Sequence, residues 1–266
     1  MKTLPYGSVL SVCDIGPKNS YGWGLNLKNG SLLSWFLGIF GVPHLGARIR
    51  NRLVAGILEK NGKGKTIIDV GGGIGLSGFY FSQFGYKYVG IEISKDKINI
   101  GRKMAGSRKI KNVEFVLANV FNNYHSKTKA NYVLCMEVLE HVKDPTEILR
   151  IIYSLLKKDG RAVITFPSSH WINGLSKKYL HHIVVGYELD DIEKFIEKLD
   201  FKISRINTFG NGFIGDLCFL IDFFLIKYFP LLAGVFFWFF YPLVILDTKF
   251  TRSLKPLGYV MVLQKI

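Results

Sequence analysis

The stretch Lys65–Gly75, KTIIDVGGGIG, constrains the fold of this chain more than any other. Its first part, Thr66–Val70, is short, apolar and β-branched apart from Asp69, which is typical of a buried parallel strand. The glycines that follow indicate a tight loop in which no Cβ atom keeps the backbone away from a ligand. The apolar residues 76–84 then predict a packed helix whose N-terminus points at the contents of that loop.

Two classes of cofactor fit this loop. The spacing Gly73-x-Gly75-x-x-Gly78 satisfies the dinucleotide fingerprint, and Glu92 lies at a suitable distance for a ribose contact. In that fingerprint, however, the first glycine directly follows the strand, whereas this strand ends near Val70. The frame DVGGGIG, with an acid just before the first glycine, resembles motif I of class I S-adenosylmethionine-dependent methyltransferases. A structural glycine turn without a ligand is the third interpretation.

The residues around the loop alternate between strand and helix patterns. Strands are predicted at 66–70, 88–93, 112–117, 131–136, 161–166, 201–207 and 258–265, and helices at 43–59, 75–84, 95–108, 145–158 and 187–199. This alternation implies an α/β fold with a mostly parallel, doubly wound sheet. The resemblance to class I methyltransferases specifies a Rossmann-like sheet of seven strands, with the helix at 43–59 covering the cofactor.

Ligands of doubly wound sheets lie beyond the carboxyl ends of the strands. Under the methyltransferase resemblance, the glycines approach the methionine half of the cofactor, and Glu92 accepts hydrogen bonds from both ribose hydroxyls. Asn119 stands where the family often has an acid that binds the adenine amino group, and an amide carbonyl can do the same. The predicted cofactor-binding residues are Asp69, Gly71, Gly73, Gly75, Glu92, Asn119 and Met136.

A second motif directly follows the fourth predicted strand. Residues 135–145 read CMEVLEHVKDP, which closely resembles a motif of the ubiquinone-biosynthesis O-methyltransferase family and its wider relatives. The LEHV portion is widespread among these relatives, so it identifies the superfamily better than the substrate. The resemblance extends over about residues 48–207 and implies S-adenosylmethionine as the cofactor.

Three side chains of this motif suit methyl transfer, an in-line displacement in which a hydroxyl nucleophile must lose its proton. His141 is the best candidate for the base because of its intrinsic pKa, with Glu140 beside it. In a helix, Glu137, Glu140 and His141 would share one face and can bind a divalent ion such as Mg²⁺. The ubiquinone family associates the matching residues with such a metal. The alternative is that Glu140 and His141 only brace the loop.

The composition bears on partners and compartment. The chain has 35 Lys and Arg against 20 Asp and Glu, and this net charge of +15 suits an anionic membrane, nucleic acid or a solvated lysine-rich surface. Methylation of base amino groups is disfavoured because no SPPY or NPPY motif follows the fourth strand. The three cysteines are unpatterned, and Pro5, Gly7 and Asp14 interrupt any signal-peptide core. We expect a cytoplasmic protein with no nucleic-acid partner.

A strongly apolar insertion, residues 212–246, separates the sixth and seventh predicted strands. The run Tyr228–Leu246 has no charged residue and is long enough to cross a bilayer. A single crossing would separate two strands of one sheet, so the segment must return to its starting side. Since Pro230 divides it, we expect a helical hairpin or two in-plane helices on the cytoplasmic face of a membrane. A lid, a dimer interface and an ordinary buried core are the alternatives.

Charged residues in and after the insertion refine this expectation. Asp216, Asp222 and Lys227 favour a shallow position, because charge at the bilayer centre is costly. The cations expected to meet anionic headgroups are Lys249, Arg252 and Lys255.

The sequence thus divides the chain into three parts. Residues 1–60 are an N-terminal extension with the covering helix, residues 61–211 and 256–266 form the methyltransferase domain, and residues 212–255 are the membrane-associating insertion. We expect a methyltransferase that modifies a lipid-like or lipid-linked acceptor, at oxygen rather than carbon, with His182 as a further candidate for the acceptor pocket. A NAD-type oxidoreductase and a non-catalytic, membrane-recruited cofactor-binding module are the alternatives.

Overall fold

Seven strands form a single sheet in a computed structural model that describes residues 45–107, 109–121, 126, 128–170, 172–174, 183–210, 212–250 and 255–266. The strands are β1 (Thr66–Val70), β2 (Lys87–Glu92), β3 (Val113–Leu117), β4 (Ala130–Met136), β5 (Leu156–Pro167), β6 (Phe201–Phe209) and β7 (Gly258–Lys265). The main helices are α1 (Leu45–Ala55), α2 (Leu76–Ser82), α3 (Lys95–Ser107), α4 (Pro145–Leu155), α5 (Leu189–Ile196), α6 (Phe213–Tyr228) and α7 (Pro230–Phe250).

The strands have the order β3-β2-β1-β4-β5-β7-β6. The first five run parallel to one another, and β7 pairs antiparallel with both β5 and β6. The predicted doubly wound sheet of seven strands is therefore confirmed. Because β1 lies between β2 and β4, the loops that follow these three strands meet at the carboxyl edge of the sheet.

The two faces of the sheet are covered by different helices, because successive side chains of a strand point to opposite faces. Ile68 of β1 belongs to a buried cluster that includes Ile148 of α4. Its neighbour Ile67 belongs to another cluster, with Ile49 of α1 and Val244 of α7. The helix α1 and the insertion thus share one face.

The helix α4 begins as predicted but ends earlier. The Asp144 Oδ1 atom accepts a hydrogen bond of 2.8 Å from the Thr146 N–H and caps the helix. The prediction that this helix reaches Lys158 is wrong, because α4 ends at Leu155 and β5 begins at the next residue. Leu156 is buried and pairs with Ala130. Its burial and sheet pairing outweigh the modest stabilisation that basic residues give to a helix C-terminus.

The insertion between β6 and β7 forms two helices that pack against each other and against α1. We call α6, α7 and the intervening Phe229 the hairpin. Within the described residues, the structure contains no helix whose length and apolar character would let it span a bilayer.

The aspartates of the hairpin face the rest of the protein. Asp222 is 3% exposed, and its Oδ2 atom accepts a hydrogen bond of 3.1 Å from the Leu45 N–H at the start of α1. The Asp216 Oδ2 atom lies 3.2 Å from His170 Nε2, in the segment that follows β5. These carboxylates bind the hairpin to the domain, so they do not support the predicted shallow position in a membrane.

One of the cations expected to meet headgroups has an internal partner. The Lys255 ammonium group donates a hydrogen bond of 2.6 Å to Ser169 Oγ and forms an ion pair with Glu188. The side chains of Lys227, Lys249 and Arg252 lie outside the described residues, so their predicted roles stay predictions.

Asp222 makes stability depend on pH. Burial raises the pKa of this carboxyl group to about 8, whereas an unfolded Asp titrates near 4. Between these values unfolding releases a proton, so the free energy of unfolding falls as pH rises, by at most about 1.4 kcal/mol per pH unit. In the Asp222→Asn variant the amide oxygen can still accept from the Leu45 N–H. We expect the variant to gain stability over the wild type from pH 5 to pH 8, as measured by urea unfolding.

A parallel pH dependence of the two proteins would contradict this assignment. Burial also raises the pKa of Asp69, to about 7. Because Asp69 titrates in both proteins, its effect on the free energy of unfolding cancels when the two proteins are compared.

Candidate functional site

The loop after β1 has backbone angles that favour glycine. The φ angles of Gly71, Gly73 and Gly75 are 73°, 57° and 82°. A Cβ atom on Gly71 would lie 2.6 Å from Val138 Cγ2, and one on Gly75 would lie 2.4 Å from the Phe115 ring. A Cβ atom on Gly73 would meet no described atom within 4 Å. Gly71 and Gly75 are thus required by packing, whereas the space beside Gly73 is open to a ligand.

Glu92 ends β2 with its carboxylate turned towards this loop. The Oε2 atom accepts a hydrogen bond of 3.0 Å from the Gly73 N–H, and Oε1 accepts one of 3.0 Å from the Ser94 N–H. Glu92 is 6% exposed. The two backbone donors fix the carboxylate, and each oxygen retains capacity for a further donor. The structure therefore brings Glu92 and Gly73 together, as the predicted ribose contact requires.

Asp69 is buried and supports the loop from within the core. Its Oδ2 atom accepts a hydrogen bond of 2.8 Å from the Tyr88 hydroxyl. The Tyr88 side chain fills space that two glycines leave: a Cβ atom on Gly72 would lie 2.7 Å from its hydroxyl, and one on Gly78 would lie 2.5 Å from its ring. The predicted contact of Asp69 with cofactor finds no support here. Tyr88 was not predicted from the sequence, although the additional glycines at positions 72 and 78 were an available signal.

Removing the Tyr88 hydroxyl is expected to destabilise the fold. In the Tyr88→Phe variant the buried Asp69 carboxyl group loses its donor, which costs about 1–3 kcal/mol. Urea unfolding measures the change. Tyr153→Phe is the matched control, because the Tyr153 hydroxyl has no hydrogen-bond partner among the described residues. Equal stabilities of the two variants would exclude the supporting role of this hydrogen bond.

Glu137 links the end of β4 to β5 and to α1. Its φ angle is 54°, and its N–H donates to the Thr165 carbonyl oxygen at 3.0 Å. The Thr165 hydroxyl donates to Glu137 Oε1 at 3.0 Å, and Arg50 Nη1 of α1 lies 3.2 Å from Glu137 Oε2. Both carboxylate oxygens thus have partners within the protein.

Glu140 and His141 lie in a short 3-10 turn, Leu139–His141. Glu140 is fully buried, and its burial and the nearby Glu137 charge raise its pKa well above the ordinary value, opposed by Arg50. His141 is half-buried at the end of the turn.

The predicted metal ligands do not form a metal-holding group among the described residues. A 3-10 turn of three residues does not give the helical face that the prediction assumed for Glu137, Glu140 and His141. The described residues contain no group of three His, Cys, Asp or Glu side chains arranged to hold a metal ion. The donor set therefore does not fit Mg²⁺, and we derive no step through a metal.

The remaining predicted residues follow the strands at the carboxyl edge. Asn119 Oδ1 accepts a hydrogen bond of 3.1 Å from the Phe121 N–H, and Met136 ends β4 opposite Thr165. Their cofactor contacts stay predictions, and His182 lies outside the described residues. Two exposed apolar residues at this edge were not predicted from the sequence. Ile93 follows Glu92 and is 67% exposed, and Leu117 lies at the end of β3. An apolar residue directly after the acid was the available signal.

The comparisons with known proteins agree with this architecture. A family model described as a methyltransferase domain matches residues 44–202. A ubiquinone biosynthesis O-methyltransferase from Neisseria meningitidis is 31% identical over 138 residues, which cover 51% of this chain and 55% of the relative. The chain thus spans about half the length of the curated relatives it matches.

Solved structures share the fold at low sequence identity. Phosphoethanolamine N-methyltransferase 2 from Haemonchus contortus, in complex with S-adenosyl-L-methionine, superposes with a TM-score of 0.60 at 16% identity, over 87% of this chain and 55% of that one. Geranyl diphosphate C-methyltransferase from Streptomyces coelicolor gives a TM-score of 0.60 at 14% identity, over 83% of this chain and 76% of that one. Since the family model covers more than half of the sequence, the chain belongs to the methyltransferase domain family, with the class I fold.

Proposed function

We propose that this chain is an S-adenosylmethionine-dependent methyltransferase that works at a membrane surface and methylates an oxygen of a lipid-like or lipid-linked acceptor. The observation that carries the proposal is the Glu92 carboxylate, held by the Gly73 N–H beside the open part of the glycine loop. A carboxylate in this position suits the two hydroxyls of a ribose. The exposed Ile93 and Leu117 at the same edge suit the apolar face of an adenine.

A sulfonium cofactor is favoured over a dinucleotide by the surroundings of the loop. A Cβ atom on Gly71 would meet Val138, so the loop packs closely against the motif that follows β4. That motif is the part of the chain that resembles methyltransferases most closely. When bound, S-adenosylmethionine supplies an electrophilic methyl group.

We assign Glu140 and His141 of the 3-10 turn to different roles. His141 removes the proton of the acceptor hydroxyl, because its intrinsic pKa suits a base near neutral pH. Glu140 is fully buried within the turn, so we assign it the role of positioning the turn and not that of the base. Its carbonyl oxygen accepts a hydrogen bond of 2.8 Å from the Ile183 N–H, which fixes the turn to the chain that follows residue 182.

The membrane and the lipid-like acceptor are inferred from the hairpin. Its exposed apolar side chains include Phe213, Trp238 and Phe239. An apolar surface of this extent marks an interaction site in a protein of this size. The name of the Neisseria relative refers to ubiquinone biosynthesis, and a prenylated quinol precursor is one acceptor that such a surface suits.

Calorimetric titration tests the cofactor assignment. We expect the chain to bind S-adenosylmethionine and not NADH, and we expect the Gly73→Arg variant to lose binding. Binding of NADH in place of S-adenosylmethionine would establish the oxidoreductase alternative and overturn the proposal.

Labelled methionine tests the reaction. Cells with and without the gene are fed methyl-labelled methionine, and their lipid extracts are compared. We expect a labelled lipid that disappears with His141→Ala, although the purified variant still binds cofactor. An unchanged lipid profile would favour a non-catalytic cofactor-binding module.

A further inference from the structure

The helix α1 contacts both the hairpin and Glu137, which precedes the turn that carries the proposed base. On the hairpin side, the Leu45 N–H donates to Asp222 Oδ2 at 3.1 Å, and Arg52 Nη1 donates to the Tyr241 hydroxyl at 3.3 Å. On the site side, Arg50 Nη1 lies 3.2 Å from Glu137 Oε2. One helix of 11 residues therefore contacts both the insertion and the loop after β4.

The hairpin has two different sides. The inner side includes Ala233, Phe240 and Val244, which are buried in the same cluster as Ile49 of α1. On the outer side, the exposed side chains that the structure describes are apolar along both helices. Its strongly exposed residues include Phe213 (74%), Phe224, Tyr228, Val235, Trp238 and Phe239.

An anionic lipid surface fits the outer side better than another partner. The hairpin contains three aspartates, at positions 216, 222 and 247, and each has a described partner or neighbour on the inner side: His170, Leu45 and Gly215. No carboxylate of the hairpin therefore opposes approach to a negative surface. The net charge of +15 attracts the whole chain to anionic headgroups. The apolar stripe then inserts at the level where Trp and Tyr side chains are favoured.

We propose that docking of the outer side on an anionic bilayer strengthens cofactor binding through α1. This inference rests on the membrane association proposed above and adds a coupling between the membrane and the active site. Among the described residues, α1 is held to the hairpin by apolar packing and by polar contacts that include those of Leu45 with Asp222 and of Arg52 with Tyr241. Docking fixes the hairpin, and α1 is then held against Glu137 with less remaining motion. Val138, the neighbour of Glu137, lies so close to the glycine loop that a Cβ atom on Gly71 would be 2.6 Å from its Cγ2 atom. The glycine loop is thereby held as well, and the cofactor site loses less conformational entropy when it binds its ligand.

Thermodynamic linkage makes the coupling measurable in two directions. If vesicles raise the affinity for S-adenosylhomocysteine by some factor, that ligand must raise the affinity for vesicles by the same factor. Couplings between distinct sites are typically about 5–150-fold. We expect a value of at least about fivefold here.

The experiment uses the full chain, S-adenosylhomocysteine and vesicles of phosphatidylcholine with or without phosphatidylglycerol. Equilibrium dialysis gives the affinity for S-adenosylhomocysteine with and without vesicles, and vesicle sedimentation gives the affinity for lipid with and without S-adenosylhomocysteine. We expect both affinities to rise by the same factor when the vesicles contain phosphatidylglycerol.

A double variant tests the path through α1. Asp222→Ala with Tyr241→Phe removes the acceptor of the Leu45 N–H and the partner hydroxyl of Arg52. Asp222→Asn is the matched control, because it keeps an acceptor for the Leu45 N–H. We expect the double variant to sediment with vesicles as the wild type does but to show no coupling, and the control to keep it. Unfolding curves verify that both variants fold.

The remaining outcomes separate this inference from the proposed function. Binding to vesicles with no change in the affinity for S-adenosylhomocysteine overturns the coupling and leaves the proposed function standing. If the chain does not sediment with vesicles, or if its outer side is buried in a dimer, both the membrane association and the coupling are overturned. A chain that binds no S-adenosylhomocysteine in any condition overturns the methyltransferase assignment itself.

Discussion

Replacing Glu92 by alanine is expected to weaken the binding of S-adenosylhomocysteine by roughly 10²–10⁴-fold. A carboxylate that accepts from two ribose hydroxyls makes two charge-assisted hydrogen bonds, each contributing about 1.5–3 kcal/mol. The side chain is already fixed by the Gly73 and Ser94 N–H groups, so little rotational entropy is lost on binding. Calorimetric titration measures the change in affinity.

Two further variants separate ribose binding from support of the loop. The alanine variant also removes the acceptors of the Gly73 and Ser94 N–H groups. Glu92→Gln keeps one oxygen acceptor but presents an amide N–H₂ group where a second acceptor is needed, so we expect an intermediate loss. Glu114→Ala is the control, because Glu114 is an exposed acid on the adjacent β3 strand. An alanine variant that folds and binds like the wild type would falsify the ribose contact.

The approach of Glu92 to the loop follows from sequence alone. Residues 73 and 92 are separated by 19 positions, yet both follow or end a parallel strand, and neighbouring parallel strands present their carboxyl ends at one edge. The alternation of apolar runs and helix signals is sufficient to predict that juxtaposition. It does not specify which polar groups partner inside the core.

The polar contacts that the sequence analysis missed are mostly long-range. The Asp222 carboxylate meets the Leu45 N–H across 177 residues, and Thr165 meets Glu137 across 28. A buried donor or acceptor needs a hydrogen-bond partner, but the periodicity of apolar residues in the sequence does not indicate which residue that partner is. The two aspartates of α6 were therefore predicted to favour a shallow position in a membrane, although they bind the hairpin to the domain.

The predicted metal site differs from the structure for a local reason. Spacings of both three and four residues place side chains on one face in a regular α-helix. Glu137 instead adopts a φ of 54° and bonds to β5, and the residues after it form a 3-10 turn. The geometry of the three residues depends on the neighbouring strand, which their spacing in the sequence does not specify.

A pair of glycine substitutions separates the two functions of the loop. Gly75→Ala places a Cβ atom 2.4 Å from the Phe115 ring at a φ of 82°, so both packing and backbone are strained. We expect a loss of about 2–4 kcal/mol in the free energy of unfolding. Gly73→Ala meets only the backbone strain of a φ of 57°, about 1–2 kcal/mol. Urea unfolding measures both.

The binding of S-adenosylhomocysteine is expected to show the opposite order. The methyl group of Gly73→Ala projects into the space that no described atom fills, next to the N–H that holds Glu92. If the cofactor lies there, folded Gly73→Ala loses affinity for S-adenosylhomocysteine by roughly tenfold or more. The fraction of Gly75→Ala that remains folded keeps its affinity, because its methyl group points at Phe115. A Gly73→Ala variant with unchanged affinity would place the cofactor elsewhere along the edge. The two variants differ because a side chain added at each glycine points in a different direction. At Gly75 it points at the protein, and at Gly73 it points into open space.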